Sequence, residues 1–445
     1  MTSADHARPL ASAVLRDGSI LEMLQREGEH TTHFARYHEG HIDELDFAEI
    51  DGHRRVIPYS ASNNLLTHRV VLFPSAASEY ESEVQLVKEV RQFIHRYADL
   101  TESFEEAATY YVLLTWVYDT FNELPYLRLK GDFGTGKTRC LLTIGSLCYK
   151  PMFVSGASTV SPMFRIIDCF RGTLILDESD FRFSDEKAEI IKILNNGNAR
   201  GFPLLRSEAT PTKEYNPRAF DVFGPKIIAS RSLFDDRALE SRCITETMTG
   251  LPARKDIPIS LPNSFHAEAL EVRNKLLTYR FRTFDRIRAT QTGFDHRLEP
   301  RIAQVFTPLL AVTSDADAQN RLLSLAKRHA ESLVADRESS LQAQILDIIW
   351  AMRTEGAPWS VKDIAERFAT RYGSELERPV TPRWIGFQLR RRLGVSPVRR
   401  GGAFFVPESS QEQIASLCRR YGVGDVSGDV GTSDNAPKLE PSSTA

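Results

Sequence analysis

The sequence predicts an α/β fold: a three-layer core around a parallel sheet with a helical lid, then a small C-terminal module of three helices and a hairpin. Three observations predict it. Residues 131–138 read GDFGTGKT between a strand-like and a helix-like segment. From Pro125 to about Thr249 short apolar strands alternate with helical stretches, the pattern of a parallel sheet covered on both faces. Beyond residue 340, three amphipathic segments lead into two short strands, and the last third of that stretch carries many arginines and no acid.

The first element is the glycine loop. Tyr126-Leu127-Arg128-Leu129-Lys130 alternates as a strand does, and Thr138 to Cys148 carries helical apolar spacing at Leu141, Leu142, Ile144 and Leu147. A strand feeding a glycine loop that opens a helix aims backbone N–H groups and the positive helix end at a polyphosphate. Gly131, Asp132, Phe133, Gly134, Thr135 and Gly136 form the cradle. Lys137 supplies a point charge for the β- and γ-phosphates, and Thr138 a hydroxyl for Mg²⁺. The implied ligands are ATP and Mg²⁺.

Next comes Gly172-Thr173-Leu174-Ile175-Leu176-Asp177-Glu178, an apolar run ending in two acids. A buried strand that delivers Asp177 to its C-terminal end places a carboxylate for the metal, and Glu178 beside it is positioned to polarise an attacking water. A third apolar strand, Lys226 to Ser230, ends in a hydroxyl that either bonds the γ-phosphate or water, or simply closes a strand-end turn. Arg242 is the first choice for a cation supplied to a neighbouring subunit's phosphoryl group, with Arg237 second; the other reading is a salt bridge to the surrounding acids.

This order of parts resembles the AAA+ ATPases over roughly Leu124 to Arg337. The helix Glu186–Leu194 running into Asn195–Arg206, expected as a hairpin, and the run Ser241-Arg242-Cys243-Ile244 are similar to minichromosome-maintenance-type helicases and to the helicase domains of phage and plasmid primase-helicases. The resemblance implies a homo-oligomeric ring with arginines acting between subunits. It also implies contacts from Arg200 and Arg206 to DNA in a central pore, although a plain surface hairpin fits the same residues. Arg301 in Leu298–Gln304 resembles a sensor-2 arginine that helps hold the nucleotide.

In the C-terminal module, Leu341, Ile345, Ile348 and Ile349 share one helical face. Ser360 and Asp363 form a cap for a second helix, and Thr381-Pro382 opens a third whose inward stripe is Ile385, Leu389 and Leu393. Two strands around Arg399-Arg400-Gly401-Gly402 complete the order of a winged helix. Arg378 through Pro407 holds seven arginines and no acid. Arg383, Gln388, Arg390 and Arg391 are expected to face away from the stripe toward DNA, with Arg399 and Arg400 at the hairpin tip. Winged helices also mediate protein contacts, which leaves that alternative open.

The remaining composition is permissive. A net charge of −3 in 445 residues, with 26% charged and 42% hydrophobic, fits two to four domains of an ordinary soluble protein. Five scattered cysteines with no C-x-x-C spacing fit a reducing, cytoplasmic setting, and no apolar stretch suits a membrane span. The expected division is a mixed region 1–80, a helical lead-in 81–124, the ATPase core 125–262, the lid 263–338, the winged helix 339–423 and a disordered tail 424–445. The function implied is an ATP-driven motor acting on DNA, helicase- or translocase-like; the alternative is a DNA-binding loader, initiator or regulator that does not unwind.

Overall fold

The computed structural model describes residues 7–50, 54–156, 158–177, 184–207, 217–231, 234, 236–250, 254–290, 298–338, 341–372 and 379–424. Glu178, Arg378 and the tail from 425 lie outside them. The chain divides into two compact units, Met1–His329 and Ala330–Ala445.

The first unit begins with two small sheets. Strands β2 (Ser12–Val14), β3 (Ile20–Gln25), β4 (Thr32–His38) and β5 (His41–Leu45) form an antiparallel meander. Beside it, β7 (Arg54–Pro58) lies between β1 (Arg8–Leu10) and β6 (Ala48–Ile50), with Arg8 opposite Val56 in parallel register. These strands do not stand apart. Leu21, Met23, Phe34 and Val56 share one buried cluster with Tyr126, Met152 and Leu174. Residues 69–73 make a single bridge among the described residues, Val71 to Met152.

After the short helix α1 (Asn64–Thr67), helices α2 (Glu83–Tyr97) and α3 (Glu102–Trp116) pack against each other. The Ser82 hydroxyl accepts the Gln85 N–H and starts α2. Helix α3 is buried nearly all round, which explains its apolar composition without a membrane. Its two buried acids are paired: Glu105 with Arg91 at 2.8 Å and His95 at 2.7 Å, Glu106 with Arg321 at 2.6 Å.

The core sheet is wholly parallel. Its strands are β8 (Tyr126–Gly131), β9 (Met152–Ser155), β10 (Leu174–Asp177), β13 (Lys226–Ser230) and β14 (Cys243–Met248), in the spatial order β14-β8-β13-β10-β9. Helices α4 (Lys137–Gly145), α5 (Val160–Phe170) and α6 (Ser184–Asn196) connect them. Strands β11 (Leu204–Ser207) and β12 (Pro217–Phe220) pair antiparallel, and the four-residue helix α7 (Arg237–Glu240) precedes β14. The expected hairpin over Asn195–Arg206 is therefore displaced. Residues 195 and 196 end a helix, and the pairing starts at Leu204 with a partner beyond the expected segment.

Helices α8 (Phe265–Ala289), α9 (Pro300–Ala311) and α10 (Ala316–Glu338) follow. Helix α8 carries Arg280, fully buried, into a polar knot that ties three parts of the unit together. Its guanidinium donates to Glu22 of β3 at 2.7 Å, to both oxygens of Asp119 at 2.7 Å and to the Trp116 carbonyl at 2.7 Å. Burial alone would raise the Asp119 carboxyl, but Arg280 outweighs it and holds that group below its ordinary value. Arg280→Met leaves Asp119 without its cation, while Glu22 keeps the Tyr149 hydroxyl at 2.6 Å and Lys150 at 4.0 Å. It is expected to cost about 3–5 kcal/mol in urea unfolding, because breaking a buried pair leaves a charge uncompensated.

The second unit packs α11 (Leu341–Thr354), α12 (Val361–Tyr372), α13 (Pro382–Arg392) and α14 (Gln411–Arg420) with the hairpin β15 (Val398–Arg400) and β16 (Ala403–Phe405). Ile345, Ile349, Ile364, Phe368, Ile385 and Leu389 form its own core. Both expected caps are present: Ser360 accepts the Asp363 N–H at 3.0 Å and Thr381 the Trp384 N–H at 3.2 Å. Helix α14, which the sequence reading did not anticipate, adds Ile414 and Cys418 to this core.

Candidate functional site

Parallel register brings three strand ends to one edge of the core sheet. Ser230 lies opposite Lys130, and Leu176 opposite Ile228, so β8, β10 and β13 deliver Gly131, Asp177 and Ser230 to the same side. The loop leaving β8 turns on Gly134 (φ 72°) and Gly136 (φ 89°), and α4 begins at Lys137. Gly131 has a different reason to lack a side chain. A Cβ there would meet the Met248 carbonyl oxygen at 2.6 Å. Asp132 accepts the Phe133 N–H at 2.7 Å and Thr135 donates to the Asp132 carbonyl at 2.9 Å, which sets the loop's curvature.

Lys137 Nζ arches over this loop and donates to the Gly131 and Asp132 carbonyls, each at 2.6 Å. Thr138 Oγ1 donates to Asp177 Oδ2 at 2.8 Å. These two groups come from different elements, 39 positions apart, yet meet at the start of the helix. A hydroxyl and a carboxylate are the hard oxygen donors that Mg²⁺ takes alongside phosphate oxygens and water. The donor set fits.

Ser230 is buried, and its hydroxyl has no hydrogen-bond partner among the described residues. A buried unpaired hydroxyl costs free energy, so a polar group brought to that strand end would find a ready donor. Glu178, expected as the base, lies outside the described residues, one position after Asp177. Sequence reasoning missed Arg231. Its guanidinium sits 3.4 Å over the exposed Phe133 ring of the loop. The available signal was its place directly after Ser230.

The other candidate arginines gather at the opposite edge. The Arg242 carbonyl accepts the N–H of Tyr126, the first residue of β8, whereas Gly131 ends that strand; the two edges are roughly 17 Å apart at strand rise. Arg242 Nη1 donates to the Asn195 carbonyl at 3.1 Å and side-chain oxygen at 2.9 Å. Asn195 in turn donates to Asp236 at 2.6 Å. Arg301 is beside it, donating to Ser241 Oγ at 3.0 Å and the Ala238 carbonyl at 3.2 Å. Burial, and then the nearby Arg242 charge, lower the Arg301 pKa. Arg301 is thus remote from the phosphate loop of its own chain. Arg237 opens α7, but its side chain lies outside the described residues. Beneath this edge, buried Arg128 grips both carboxylate oxygens of Glu240 and anchors α7.

The two arginines expected in a pore have partners within the chain. Arg200 donates to the Phe121 carbonyl at 2.9 Å and the Asp119 carbonyl at 2.7 Å, with its guanidinium over Phe223. Arg206, in β11, pairs with Glu189 at 3.0 Å. In the second unit, Arg383, Arg390, Arg391, Arg399 and Arg400 are all exposed. Gln388 departs from expectation: helix packing buries it with the stripe. A groove of about 420 Å³ runs between α12, α13 and the hairpin, lined by Lys362, Arg383, Arg390 and exposed Phe404.

No protein-family model matches the sequence, and no curated protein does. Among solved structures the chain is similar to "SCCmec type IV Cch - active helicase" at 12% identity, covering 92% of this chain and 80% of that one with a TM-score of 0.43. It is similar to the NrS-1 C-terminal region, in its apo A form, at 12% identity (87% and 96% covered, TM-score 0.37). A full-length MCM homolog from Methanopyrus kandleri matches at 10% identity (71% and 78% covered, TM-score 0.33). At these scores, function is read from the chain's own residues.

Proposed function

We propose that this chain is an AAA+ ATPase that hydrolyses ATP as a homo-oligomeric ring and uses the energy to move on or remodel DNA. The observation that carries the proposal is the Thr138–Asp177 hydrogen bond beneath the glycine loop, because it joins the two groups a Mg²⁺–triphosphate needs at the end of a parallel sheet. Lys137 and the loop N–H groups bind the β- and γ-phosphates. Thr138 and Asp177 would hold Mg²⁺, which would supply positive charge to the phosphate oxygens. Glu178 takes the proton of the attacking water, and Ser230 and Arg231 hold the far side of the γ-phosphate.

The placement of the remaining cations supports a ring. Arg242 and Arg301 stand at the sheet edge opposite their own loop, so the phosphoryl group they serve belongs to an adjacent subunit. DNA is the substrate best supported by the C-terminal unit. Its hairpin and third helix expose six arginines in a winged-helix order, and phosphate contact is what such a surface provides. Among the described residues no helix is long and apolar enough to cross a membrane, and a cytoplasmic location is consistent with the reading.

The test is ATP hydrolysis measured alone, with single-stranded and with duplex DNA, followed by strand displacement on a fork. Stimulation by DNA with unwinding supports a helicase. Stimulation without unwinding supports the loader or initiator alternative. Robust hydrolysis indifferent to both DNAs would remove DNA from the proposal. Replacing Arg383, Arg390 and Arg391 by alanine is expected to weaken duplex binding. Its salt dependence should flatten by about 0.9 for each phosphate no longer neutralised, read from a titration series at several salt concentrations.

A further inference from the structure

The N-terminal sheets meet the core at the edge opposite the phosphate loop. There a cleft of about 520 Å³ opens between β2, the end of α3, α8 and the turn before β13. Four exposed arginines line it: Arg16, Arg171, Arg200 and Arg288. Its floor is apolar, with Tyr118, Tyr149, Phe223 and Phe284. The acids in the lining do not cancel this charge. Asp119 is committed to Arg280, which leaves Asp221 as one negative charge against four arginines. Arg171 and Arg288 have no ion-pair partner among the described residues.

A second cleft, about 270 Å³, adjoins the first and shares Ser12 and Arg171 with it. It adds Arg8, Arg54 and Arg218 against one acid, Asp168. Together the two are lined by eight arginines and three aspartates, in a chain whose net charge is −3. Arg171 is at the junction. It is the C-cap of α5 with φ +50°, a conformation that non-glycine residues rarely adopt.

We infer that the two clefts form one track that holds single-stranded DNA by its phosphate backbone, with Arg171 and Arg288 as direct phosphate contacts. The inference rests on the reading of the chain as acting on DNA and adds where on the first unit a strand lies. A run of guanidinium groups along a concave, apolar-floored cleft matches a flexible polyanion whose sugars and bases need an uncharged surface. A duplex, with its phosphates on a convex cylinder, reaches only the rim. The track also gives Arg200 a nucleic-acid role different from a pore loop: its backbone bonds fix it as one wall.

The experiment uses the full chain, fluorescence anisotropy with labelled oligothymidylate and a blunt duplex of equal length, and two double variants. Arg171→Ala with Arg288→Ala is expected to bind oligothymidylate about tenfold more weakly, with the salt slope reduced by about 1.4, or 0.7 for each phosphate left without its arginine. Duplex binding is expected to stay within about twofold of wild type. Arg171→Lys with Arg288→Lys keeps the charge and is expected to retain the wild-type slope; its thermal midpoint and that of the alanine pair report the fold. Unchanged oligothymidylate binding in the alanine pair, equal losses on both DNAs, or equal losses in the lysine pair would each overturn the track while leaving a DNA-binding protein. A wild-type chain that binds neither DNA would take the DNA reading down with it.

Discussion

Asp177→Ala is expected to lower Mg²⁺-dependent ATP hydrolysis by about 10³-fold, since it removes the carboxylate that meets Thr138 at the loop. The physical reason is charge. A γ-phosphoryl group in flight carries negative charge on three oxygens, and the metal that offsets it needs an anionic anchor at the strand end. Binding of a fluorescent nucleotide in EDTA should persist, because Lys137 and the loop N–H groups hold phosphate without the metal. Thr138→Ser keeps the hydroxyl and should stay within about threefold of wild type, whereas Thr138→Ala should not. Steady-state phosphate release across a Mg²⁺ titration reads both. Wild-type turnover in Asp177→Ala would mean that the metal, if used, is held elsewhere.

Arg242→Ala is expected to spare nucleotide binding and cut turnover by about 10³-fold or more, the range known for a cation supplied between subunits. The arginine also has a local duty, its two bonds to Asn195, so a fall in activity alone is ambiguous. Mixing resolves it. Combined with Glu178→Gln, whose own turnover is blocked but whose Arg242 is intact, the alanine protein should recover part of its hydrolysis at mixed interfaces. No recovery, together with a lowered unfolding midpoint, would assign Arg242 to the fold alone. Arg301→Ala should behave in the same direction, since Arg301 shares the Arg242 edge.

What the sequence made legible was local chemistry. Gly134, Gly136, Lys137 and Thr138 work within a few residues of one another, so their spacing alone defines a loop and a helix start. The Asp177 strand was readable for the same reason, as an apolar run with an acid at its end. Ser360 and Thr381 announced their helices through side chains that bond the backbone three positions on. What needed the structure was non-local pairing. Asn195-Asn196-Gly197 has turn composition, but tertiary packing continues the helix through Asn196 and moves the hairpin to Leu204. Arg8 pairs with Val56 across intervening strands, and no short pattern encodes such a partner. The position of Arg301 was equally hidden. Its side chain meets Ser241, 60 residues away, and only the packing of α9 decides which sheet edge that is.

The cluster that joins Phe34 and Val56 to Tyr126 and Leu174 has a mechanical consequence. Because oily side chains from both regions fill one continuous interior, the described strands between Arg8 and Pro58 are packed to the core rather than hinged to it. A protein trimmed to start at Glu83 would bare that interior to water and come out of solution. Any movement of the central strands is therefore coupled to the sheets before them, as a handle turns with its blade.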